Sequence, residues 1–417
     1  MTKALSVWWE GTIVGSFQFN RHGEAVFAYS EDWISSTDPR PVSVSLPLRS
    51  KPFSRRASRP FFEGLLPEEE QRIAVAKALG ISEHNEFGLL EALGGEVAGA
   101  LTLWPEGEAP PVPVAPNSPP KVMNESELID LLDTLPSHPL LAGDSALRLS
   151  LAGAQSKLPV IATGQGIALP QSGAPTTHIL KPVSERFPGI TENEAFCMRL
   201  AQDIGLNVAP VEIRTIGNRR VLLVERYDRT MVEGQVRRLH QEDFCQALGL
   251  PSSRKYAAEG GPTLGDCFAL VRRTATRPAK DVLKLFDAAA FNLIIGNADA
   301  HGKNFSLLHR RSSIELAPLY DLVCTVAYPN ISPKMAMKIA KRSTLDAIKA
   351  TDWKVLGTDI GMTEPYVRRR VLQLTDAVEG HMESATVPFN STDAGAATLS
   401  RITDKIRGRI ANLRRIC

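Results

Sequence analysis

A proline-rich segment, PEGEAPPVPVAPNSPP from Pro105 to Pro120, is the feature that most constrains how this chain can fold. Proline fixes φ and lacks a backbone N–H, so such a segment can continue neither a helix nor a central strand. It favours extended polyproline geometry and predicts a linker. Because 417 residues exceed what one hydrophobic core usually organises, we expect two or three domains, with a boundary at this segment.

The bulk composition excludes several classes of protein. Hydrophobic residues make up 43% and charged residues 23% of the chain, which argues against global disorder. The formal net charge is +2, so overall charge indicates neither a nucleic-acid partner nor an anionic membrane. No stretch reaches the roughly 18 apolar residues of a membrane span, and the N-terminus lacks the apolar region of a signal peptide. We therefore predict a cytoplasmic protein with no membrane partner.

The cysteines are scattered, odd in number and never in a CxxC pair. This pattern fits neither a disulfide framework nor a zinc ribbon and predicts free thiols in a reducing compartment. The five residues are Cys197, Cys245, Cys267, Cys324 and Cys417.

Residues 1–104 are predicted to form a β-rich N-terminal subdomain, followed by the linker over residues 105–120. The segments LSVWW, TIVGSFQF, AVFAY and VSVSLPL place β-formers between turn residues. One helix, EEEQRIAVAKALG, ends at a glycine, as helices commonly do.

Residues 121–228 are predicted to form a second β-dominated lobe with one long helix. The helix SELIDLLDTL precedes the strands LPVIA and HILK, and VEIRTI and RRVLLVERYD form a hairpin around a two-residue turn. The long helix is predicted from Glu192 to Ile204, with Thr191 and Glu194 forming a capping box at its start.

Residues 229–417 are predicted to form an all-helical lobe. DVLKLFDAAAFNLII carries the apolar stripe of a helix at i, i+3 and i+4 spacing. The fold class that follows from this order of elements is α+β, with strands concentrated before the helices.

The segment GNADAHGKNF, Gly296 to Phe305, directly follows that helical stripe. Asp299 and Asn304 reproduce the D-x-x-x-x-N spacing of a kinase catalytic loop, in which the aspartate orients the nucleophile and the asparagine holds metal. The strand pair FSLLH and IELAP then leads to Asp321, at the position of a kinase's metal-binding aspartate. Mg²⁺ suits this set because it takes few protein oxygens and keeps other positions for phosphate and water.

Other kinase-like motifs precede this loop in matching order. SLAGAQSK, Ser150 to Lys157, consists of small residues that let backbone N–H groups approach phosphate oxygens. Lys181 lies on the third strand after that loop, as a kinase's phosphate-binding lysine does. The strand RVLLVERY ends at Glu225 to Tyr227, where a hinge would offer backbone groups to adenine.

Each motif also has an ordinary structural interpretation. D-x-x-x-x-N occurs by chance in solvated turns, and SLAGAQSK lacks a full Gly-rich consensus. Lys181 fits a surface lysine, and for Glu194 we favour the capping box over a pairing with that lysine. For His301, a loop hydrogen bond is favoured over a zinc ligand. The C-terminal helix is interpreted as an amphipathic packing helix, not as a phosphate site built on Arg414 and Arg415.

With these motifs in place, the chain resembles the HipA family of serine/threonine-protein kinases, the toxins of bacterial HipBA-type toxin–antitoxin modules. PVSVSLPL, FFEGLLPEEEQR and GGEVAGALTLWP resemble the family's N-terminal subdomain. LSLAGAQSKLPV resembles its phosphate loop, TTHILKP its lysine strand and LLVERYDR its hinge. QEDFCQALGLPSSRKY and the following GGP resemble its signature segment, GNADAHGKNFS its catalytic loop and PLYDLV its metal aspartate. The resemblance spans nearly the whole chain and implies a two-lobed, protein-kinase-like fold.

The resemblance implies an ATP-dependent protein serine/threonine kinase that uses Mg²⁺. Asp299 would be the catalytic base, and Asn304 and Asp321 the Mg²⁺ ligands. Ser150 would be autophosphorylated, which expels the phosphate loop and switches the kinase off because the new charge repels ATP phosphates. The nucleotide-binding residues would be Ala152, Gly153, Ala154, Gln155, Ser156, Lys157, Lys181, Glu225, Arg226, Tyr227, His301, Gly302, Lys303, Asn304, Tyr320 and Asp321.

The resemblance also implies partners. The protein substrates would be proteins such as aminoacyl-tRNA synthetases, whose inactivation halts translation and causes growth arrest and persistence. The regulatory partner would be a small HipB-like helix-turn-helix antitoxin dimer that binds operator DNA, with direct contact between this chain and DNA left open.

One departure and two competing functions remain. Ser156 stands where a relative carries glutamate, which leaves a second phosphosite open but removes no catalytic group. A small-molecule phosphotransferase would use the same Asp–Asn–Asp arrangement. A non-catalytic co-repressor would use the fold only to dock an antitoxin on DNA, and the intact catalytic and metal-binding residues together with Lys181 count against it.

Overall fold

The computed structural model describes residues 3–111, 120–144, 147–171, 173–389 and 393–417. Half of the predicted linker, residues 112–119, lies outside the described residues, and the domain boundaries given above stay predictions. The chain divides into two compact units. Unit 1 comprises residues 1–182, 215–252 and 308–310, and unit 2 comprises residues 183–214, 253–307 and 311–417. Within the described ranges, no helix is long and apolar enough to cross a membrane.

The strands are short and concentrated in the first 250 residues. In chain order they are β1 (Ala4–Trp9), β2 (Thr12–Phe19), β3 (Ala25–Tyr29), β4 (Leu101–Pro105), β5 (Leu158–Thr163), β6 (Gly166–Ala168), β7 (His178–Lys181), β8 (Val211–Ile216), β9 (Arg219–Glu225), β10 (Arg229–Val232), β11 (Gln235–Arg238), β12 (His240–Asp243), β13 (Ser306–Arg310), β14 (Ser313–Leu316), β15 (Lys334–Ile339) and β16 (Arg342–Thr344).

The helices become longer toward the C-terminus. In chain order they are α1 (Glu31–Ile34), α2 (Arg55–Glu63), α3 (Glu69–Leu79), α4 (Glu86–Leu93), α5 (Glu125–Thr134), α6 (Ile190–Asp203), α7 (Phe244–Leu248), α8 (Leu264–Thr274), α9 (Pro278–Ile295), α10 (Asp352–Ile360), α11 (Glu364–Thr386) and α12 (Asp393–Ile416).

The N-terminal part of unit 1 is an antiparallel sheet in the order β3-β2-β1-β4, covered by helices. Its strands match the predictions LSVWW, TIVGSFQF and AVFAY. Phe17 of the sheet stacks on Phe62 of α2 with ring centroids 4.4 Å apart, and both side chains are buried. Such a stacked aromatic pair contributes about 0.5–1.5 kcal/mol beyond the burial of its apolar area. Helices α1, α2 and α4 were not predicted, so this part is less β-rich than expected.

The predicted strand VSVSLPL is wrong. Residues 42–48 form a turn closed by an isolated bridge between Ser43 and Leu46. Ser43 Oγ and Val44 N–H donate to the Glu242 carboxylate at 2.5 and 2.9 Å. A buried carboxylate therefore satisfies the polar groups that a neighbouring strand would satisfy. The alternation of apolar residues came from Val42 and Leu46, which point into the core without pairing as a strand.

The second sheet of unit 1 contains the predicted strands LPVIA, HILK and RRVLLVE. β7 pairs antiparallel with β5 on one side and with β9 on the other, and β6 pairs with β5. Leu158, Leu180 and Leu223 from the three central strands share one hydrophobic core. The sheet therefore fixes the strand after the phosphate loop, the lysine strand and the strand before the hinge side by side.

Unit 2 is built on packed helices, and its C-terminal helix α12 confirms the predicted packing role. Ile402, Ile406, Ile410 and Leu413 of α12 are at most 1% exposed. Arg414 forms ion pairs with Asp376 and Glu379 of α11, each at 2.6 Å, so its guanidinium serves helix packing. The region is not all-helical, because β15 and β16 form an antiparallel pair.

The predicted capping box on α6 is also wrong. The helix begins at Ile190, after Gly189 in a left-handed conformation with φ of 77°, and no side chain caps it. Thr191 and Glu194 therefore lie inside the first turns, and Glu194 is 1% exposed. Gly189 accounts for the earlier start because its left-handed backbone costs glycine little. Glu194 is thus a buried carboxylate that the capping box does not explain.

Candidate active site

The catalytic-loop segment starts where α9 ends. Gly296 adopts φ of 78°, and a Cβ there would collide with the Val326 and Arg409 side chains, so only glycine fits. Its carbonyl accepts hydrogen bonds from Val326 N–H at 3.2 Å and Thr325 Oγ1 at 3.1 Å. Thr325 Oγ1 also accepts from Ala298 N–H at 2.8 Å. The residues just before the predicted catalytic aspartate are therefore rigidly held.

Asp299 is exposed at the end of this rigid segment. Its Oδ1 accepts a hydrogen bond from the Tyr256 hydroxyl at 3.0 Å, and its N–H donates to Asn297 Oδ1 at 3.1 Å. Tyr256 also packs edge-on against the His301 ring, with centroids 5.4 Å apart. The sequence offered Tyr256 only as the end of the family signature segment, so its contact with Asp299 was missed.

Asn304 and Asp321 meet although they are 17 residues apart. Asn304 Nδ2 donates to Asp321 Oδ2 at 2.9 Å, and Asn304 Oδ1 accepts from His301 N–H at 3.2 Å. Asp321 has φ of 59°, a left-handed conformation that residues other than glycine rarely adopt. Such a conformation costs about 1–3 kcal/mol and is concentrated at functional sites, where the surroundings enforce it.

The rest of the predicted nucleotide-site lining in unit 2 belongs to the same cluster. Residues 302–304 form one turn of 3₁₀ helix, and Lys303 and His301 are buried. The Tyr320 hydroxyl donates to Lys303 O at 2.7 Å and lies 2.7 Å from Ser306 Oγ. The structure therefore brings Asp299, His301, Lys303, Tyr320 and the Asn304–Asp321 pair together.

The donor set of this cluster fits Mg²⁺. Among the described residues, no group of three or more His, Cys, Asp or Glu side chains forms a metal-binding cluster. Mg²⁺ does not need such a cluster, because it is usually held by one or two carboxylates plus phosphates and water. Asn304 and Asp321 offer an amide and a carboxylate in direct contact, one of them in a strained backbone conformation.

In unit 1, the phosphate loop is held in a closed conformation. Ser150 is fully buried; its hydroxyl donates to Leu65 O at 2.7 Å and its N–H to Glu96 O at 2.8 Å. Gly153, at φ of 110°, accepts at its carbonyl from Glu68 N–H at 3.3 Å. Lys157 Nζ donates to Ala152 O at 2.7 Å, which closes the loop on itself just before β5 begins.

Lys181 and the hinge lie on neighbouring strands. Lys181, 7% exposed, pairs with Leu222 across β7 and β9, and Glu225 ends β9 opposite His178. Arg226 is the exception among the predicted adenine-binding residues. Its N–H donates to Thr177 O at 2.9 Å and its side chain is 2% exposed. Arg226 therefore supports the hinge from inside the unit and presents no side chain for a nucleotide.

The Arg226 side chain belongs to a buried charge cluster that the sequence did not reveal. Its members are Glu96, Arg226, Asp228, Arg229 and Arg238. Burial raises the pKa of Glu96, but the three arginines outweigh burial and the net pKa is lowered. The pKa of Asp228 is likewise held far below its usual range, because Arg226 and Arg229 overcome the cost of burial. Burial lowers the pKa of Arg238 to about 10.

The paired strands, the rigid catalytic loop and the Asn304–Asp321 pair define a protein of the kinase-like class with an α+β fold. The family model for the HipA-like C-terminal domain matches residues 149–382, and that for the HipA N-terminal domain matches residues 5–104. The chain belongs to the HipA family.

The relatives are named kinases. A protein of Sinorhizobium fredii named as kinase Y4mE is 54% identical over 409 residues, covering 98% of this chain and 97% of its own length. The serine/threonine-protein kinase toxin HipA of Shewanella oneidensis is 33% identical over 341 residues, covering 78% and 76%. The structure of HipA from Shewanella oneidensis in complex with HipB and operator DNA matches 99% of both chains, with 27% identity and a TM-score of 0.85. These findings confirm the predicted family and fold class.

Proposed function

We propose that this chain is an ATP-dependent protein serine/threonine kinase and the toxin of a type II toxin–antitoxin module. The observation that carries the proposal is the contact of Asp321 with Asn304, which lies in the loop that presents Asp299 to solvent. That combination supplies a base and two hard-oxygen ligands in the order used by kinases. The names of the relatives support the same activity.

In the proposed reaction, Asp299 orients the hydroxyl of a protein serine or threonine and takes its proton. The hydroxyl oxygen forms a bond to the γ-phosphorus of ATP, while the bond between that phosphorus and the β,γ-bridging oxygen breaks and ADP leaves with the electron pair. The hydrogen bond from Tyr256 holds the Asp299 carboxylate in one orientation, which favours proton transfer to its other oxygen.

The remaining residues act on the nucleotide. Asn304 and Asp321 would hold Mg²⁺, which neutralises charge on the phosphates when bound. We assign to Lys181 and the backbone of residues 152–157 contacts with the phosphates, to residues 225–227 the adenine, and to residues 301–304 and Tyr320 the lining of the nucleotide site. For Arg226 the proposed role is limited to supporting the hinge, since its side chain is buried in ion pairs.

The test is transfer of radiolabelled phosphate from ATP to proteins of a cell lysate in the presence of Mg²⁺. We expect labelled protein bands with the wild-type chain and none with Asp299→Asn. The control is Asp376→Asn, which removes an exposed carboxylate of α11 and should leave the bands unchanged. Label on a small molecule instead of a protein would favour the small-molecule phosphotransferase, and label that survives Asp299→Asn would refute the proposed base.

We further propose autophosphorylation at Ser150 as an off-switch. The Ser150 hydroxyl is fully buried and donates to Leu65 O at 2.7 Å. A phosphate there can neither donate that bond nor remain in an unsolvated pocket, so it would expel the loop. Mass spectrometry should find phosphate on Ser150; phosphate on Ser156 alone would reject this switch and favour the neighbouring serine.

The proposed partners follow from the relatives. The solved complex of the Shewanella oneidensis relative with HipB and operator DNA supports a HipB-like antitoxin and operator DNA as partners here. The proposed target, a protein such as an aminoacyl-tRNA synthetase, rests on the family resemblance. Purified chain and antitoxin should shift operator DNA together in a gel, and a shift by the chain alone would reveal direct DNA contact.

A further inference from the structure

Glu96 connects, through its backbone, to the phosphate loop. It lies between α4 and β4, is 7% exposed, and forms a parallel bridge with Leu149. Its N–H donates to Arg148 O and its carbonyl accepts from Ser150 N–H, each at 2.8 Å. The Glu96 backbone thus binds the residues on both sides of Leu149, which are Arg148 and Ser150.

Through its carboxylate, Glu96 connects to the hinge. The carboxylate accepts from Thr176 N–H at 3.1 Å and from the Thr176 hydroxyl. It also accepts from Arg226 Nη1 at 2.9 Å and from Arg229 Nη2 at 2.7 Å. Arg226 in turn donates its N–H to Thr177 O, so the hinge and the residue before β7 are fixed by the same carboxylate.

The surrounding charged residues hold the Glu96 carboxylate in one position. Asp228 accepts from Arg226 Nη2 at 2.8 Å and from Gly99 N–H at 2.7 Å, which ties the hinge to the loop that carries Glu96 a second time. Buried ion pairs are often no more stabilising than apolar residues of similar volume, and in some proteins they are retained because they specify one arrangement of their members. The cluster is therefore better explained by the geometry that it enforces than by the stability that it adds.

We propose that Glu96 is a positioning residue that sets the phosphate loop and the hinge at the separation required by one bound nucleotide. This inference rests on the proposed ATP-dependent activity. The phosphates would be bound by a loop whose start Glu96 holds with its backbone, and the adenine by a hinge that Glu96 holds with its side chain. Loss of the carboxylate would leave both binding segments folded but no longer fixed relative to each other.

Glu242 provides a matched control. It is 1% exposed and, like Glu96, accepts from a hydroxyl and a backbone N–H, those of Ser43 and Val44. It also lies 2.9 Å from His309 Nε2. Its partners are outside the phosphate loop and the hinge. Glu96→Gln and Glu242→Gln therefore both remove buried carboxylates of unit 1, and they differ in the segments that the carboxylates hold.

The experiment uses the full-length protein and two measurements. The first is the dissociation constant of a fluorescent ATP analogue in the presence of Mg²⁺, and the second is the pair of kinetic constants KM for ATP and kcat. We expect Glu96→Gln to raise the dissociation constant and KM about 10- to 100-fold with a smaller change in kcat, because a charged hydrogen-bond acceptor is lost. Glu242→Gln should stay within about twofold of wild type. Arg226→Lys, which keeps the charge but loses the forked donor geometry, should weaken binding in the same direction and serves if Glu96→Gln does not fold.

The outcomes separate this inference from the function on which it rests. Wild-type protein that binds no nucleotide overturns the proposed activity and this role of Glu96 with it. Wild-type binding with no difference between Glu96→Gln and Glu242→Gln, or equal losses in both, overturns the positioning role alone. Weaker binding confined to Glu96→Gln and Arg226→Lys supports it.

Discussion

The two units treat their functional charges in opposite ways. In unit 1, the carboxylates of Glu96 and Asp228 are buried, and each is paired with Arg226 and Arg229 and accepts a hydrogen bond from a backbone N–H. In unit 2, Asp299 is exposed, and Asp321 is only partly buried and sits in a strained backbone conformation. Buried charges thus fix the geometry of unit 1, whereas the charges of unit 2 that we propose for catalysis stay accessible to solvent, at some cost in local stability.

The largest expected effect is on the rate of phosphoryl transfer, and it comes from a change at Asp321. The same change should leave the stability of the protein nearly unaltered. Asp321→Asn should lower phosphoryl transfer about 10³-fold, since it removes the charge proposed to hold Mg²⁺. The free energy of unfolding should change little or rise, because asparagine tolerates φ of 59° as well as aspartate does. Urea unfolding together with initial rates of phosphorylation measures both quantities. A large loss of stability would mean that this carboxylate is structural, like those of unit 1.

Asp228→Asn should give the opposite result. Removal of this charge leaves the buried Arg226 and Arg229 to share the single charge of Glu96 and should lower the free energy of unfolding by about 3 kcal/mol. The exposed pair between Asp376 and Arg414 is the comparison, since Asp376→Asn should cost less than about 1 kcal/mol. Urea midpoints at constant slope measure the difference. Equal, small effects would show that burial does not distinguish the two kinds of ion pair.

A smaller effect is expected from pH, through His240 in unit 1. Burial, with His309 and Arg40 adding repulsion, lowers the pKa of His240 to about 3, and its Nε2–H donates to Val42 O at 2.8 Å. Because the folded pKa lies below the unfolded value of about 6.5, the unfolded state binds the proton first. The contribution of His240 is fully present above about pH 6.5 and should fall by about 2 kcal/mol at pH 5.

The matched variants isolate this contribution. His240→Gln should flatten the fall in the free energy of unfolding between pH 7 and pH 5, whereas His381→Gln, on the exposed surface of α11, should leave it unchanged. The stabilisation from the Glu96 and Asp228 carboxylates, whose pKa values are also lowered, is present above about pH 4 and should be lost only below it, outside the range from pH 7 to pH 5. An unchanged pH slope in His240→Gln would show that this histidine is not held neutral.

The smallest effect concerns Ser150. Ser150→Ala should cost about 1 kcal/mol, the value of one buried hydrogen bond, and should leave initial phosphorylation rates near those of wild type. Over long incubation with ATP, the variant should stay active while the wild type loses activity. A variant that loses activity at the same rate would remove Ser150 from the proposed off-switch.

The sequence predicted well what depends on local pattern. The helix ending at Gly296, the hairpin VEIRTI-GN-RRVLLVE and the helix carrying Ile402 and Ile406 were all confirmed, because hydrophobic period and glycine signals are local. Asn304 and Asp321 were both predicted as Mg²⁺ ligands, and the structure shows a hydrogen bond between their side chains.

The errors have identifiable physical causes. VSVSLPL has the alternation of a strand, but Glu242, some 200 residues later, satisfies its polar groups. Thr191 and Glu194 have capping-box spacing, yet Gly189 starts the helix earlier. The charge cluster around Glu96 escaped prediction because its members are far apart in sequence, and long-range pairing leaves no local pattern. The hydrogen bond between Tyr256 and Asp299 was not predicted for the same reason.

The hydrogen bonds that Leu65 and Glu96 make with Ser150 limit how far this protein can be truncated from its N-terminus. A recombinant fragment that begins after the proline-rich segment would keep every proposed catalytic and metal-binding residue. It would nevertheless lose the acceptors that hold the phosphate loop and the carboxylate that holds the hinge. The smallest piece worth expressing as an active enzyme therefore includes the first hundred residues, and a deletion of those residues should abolish the proposed kinase activity, as we expect of a change at Asp299.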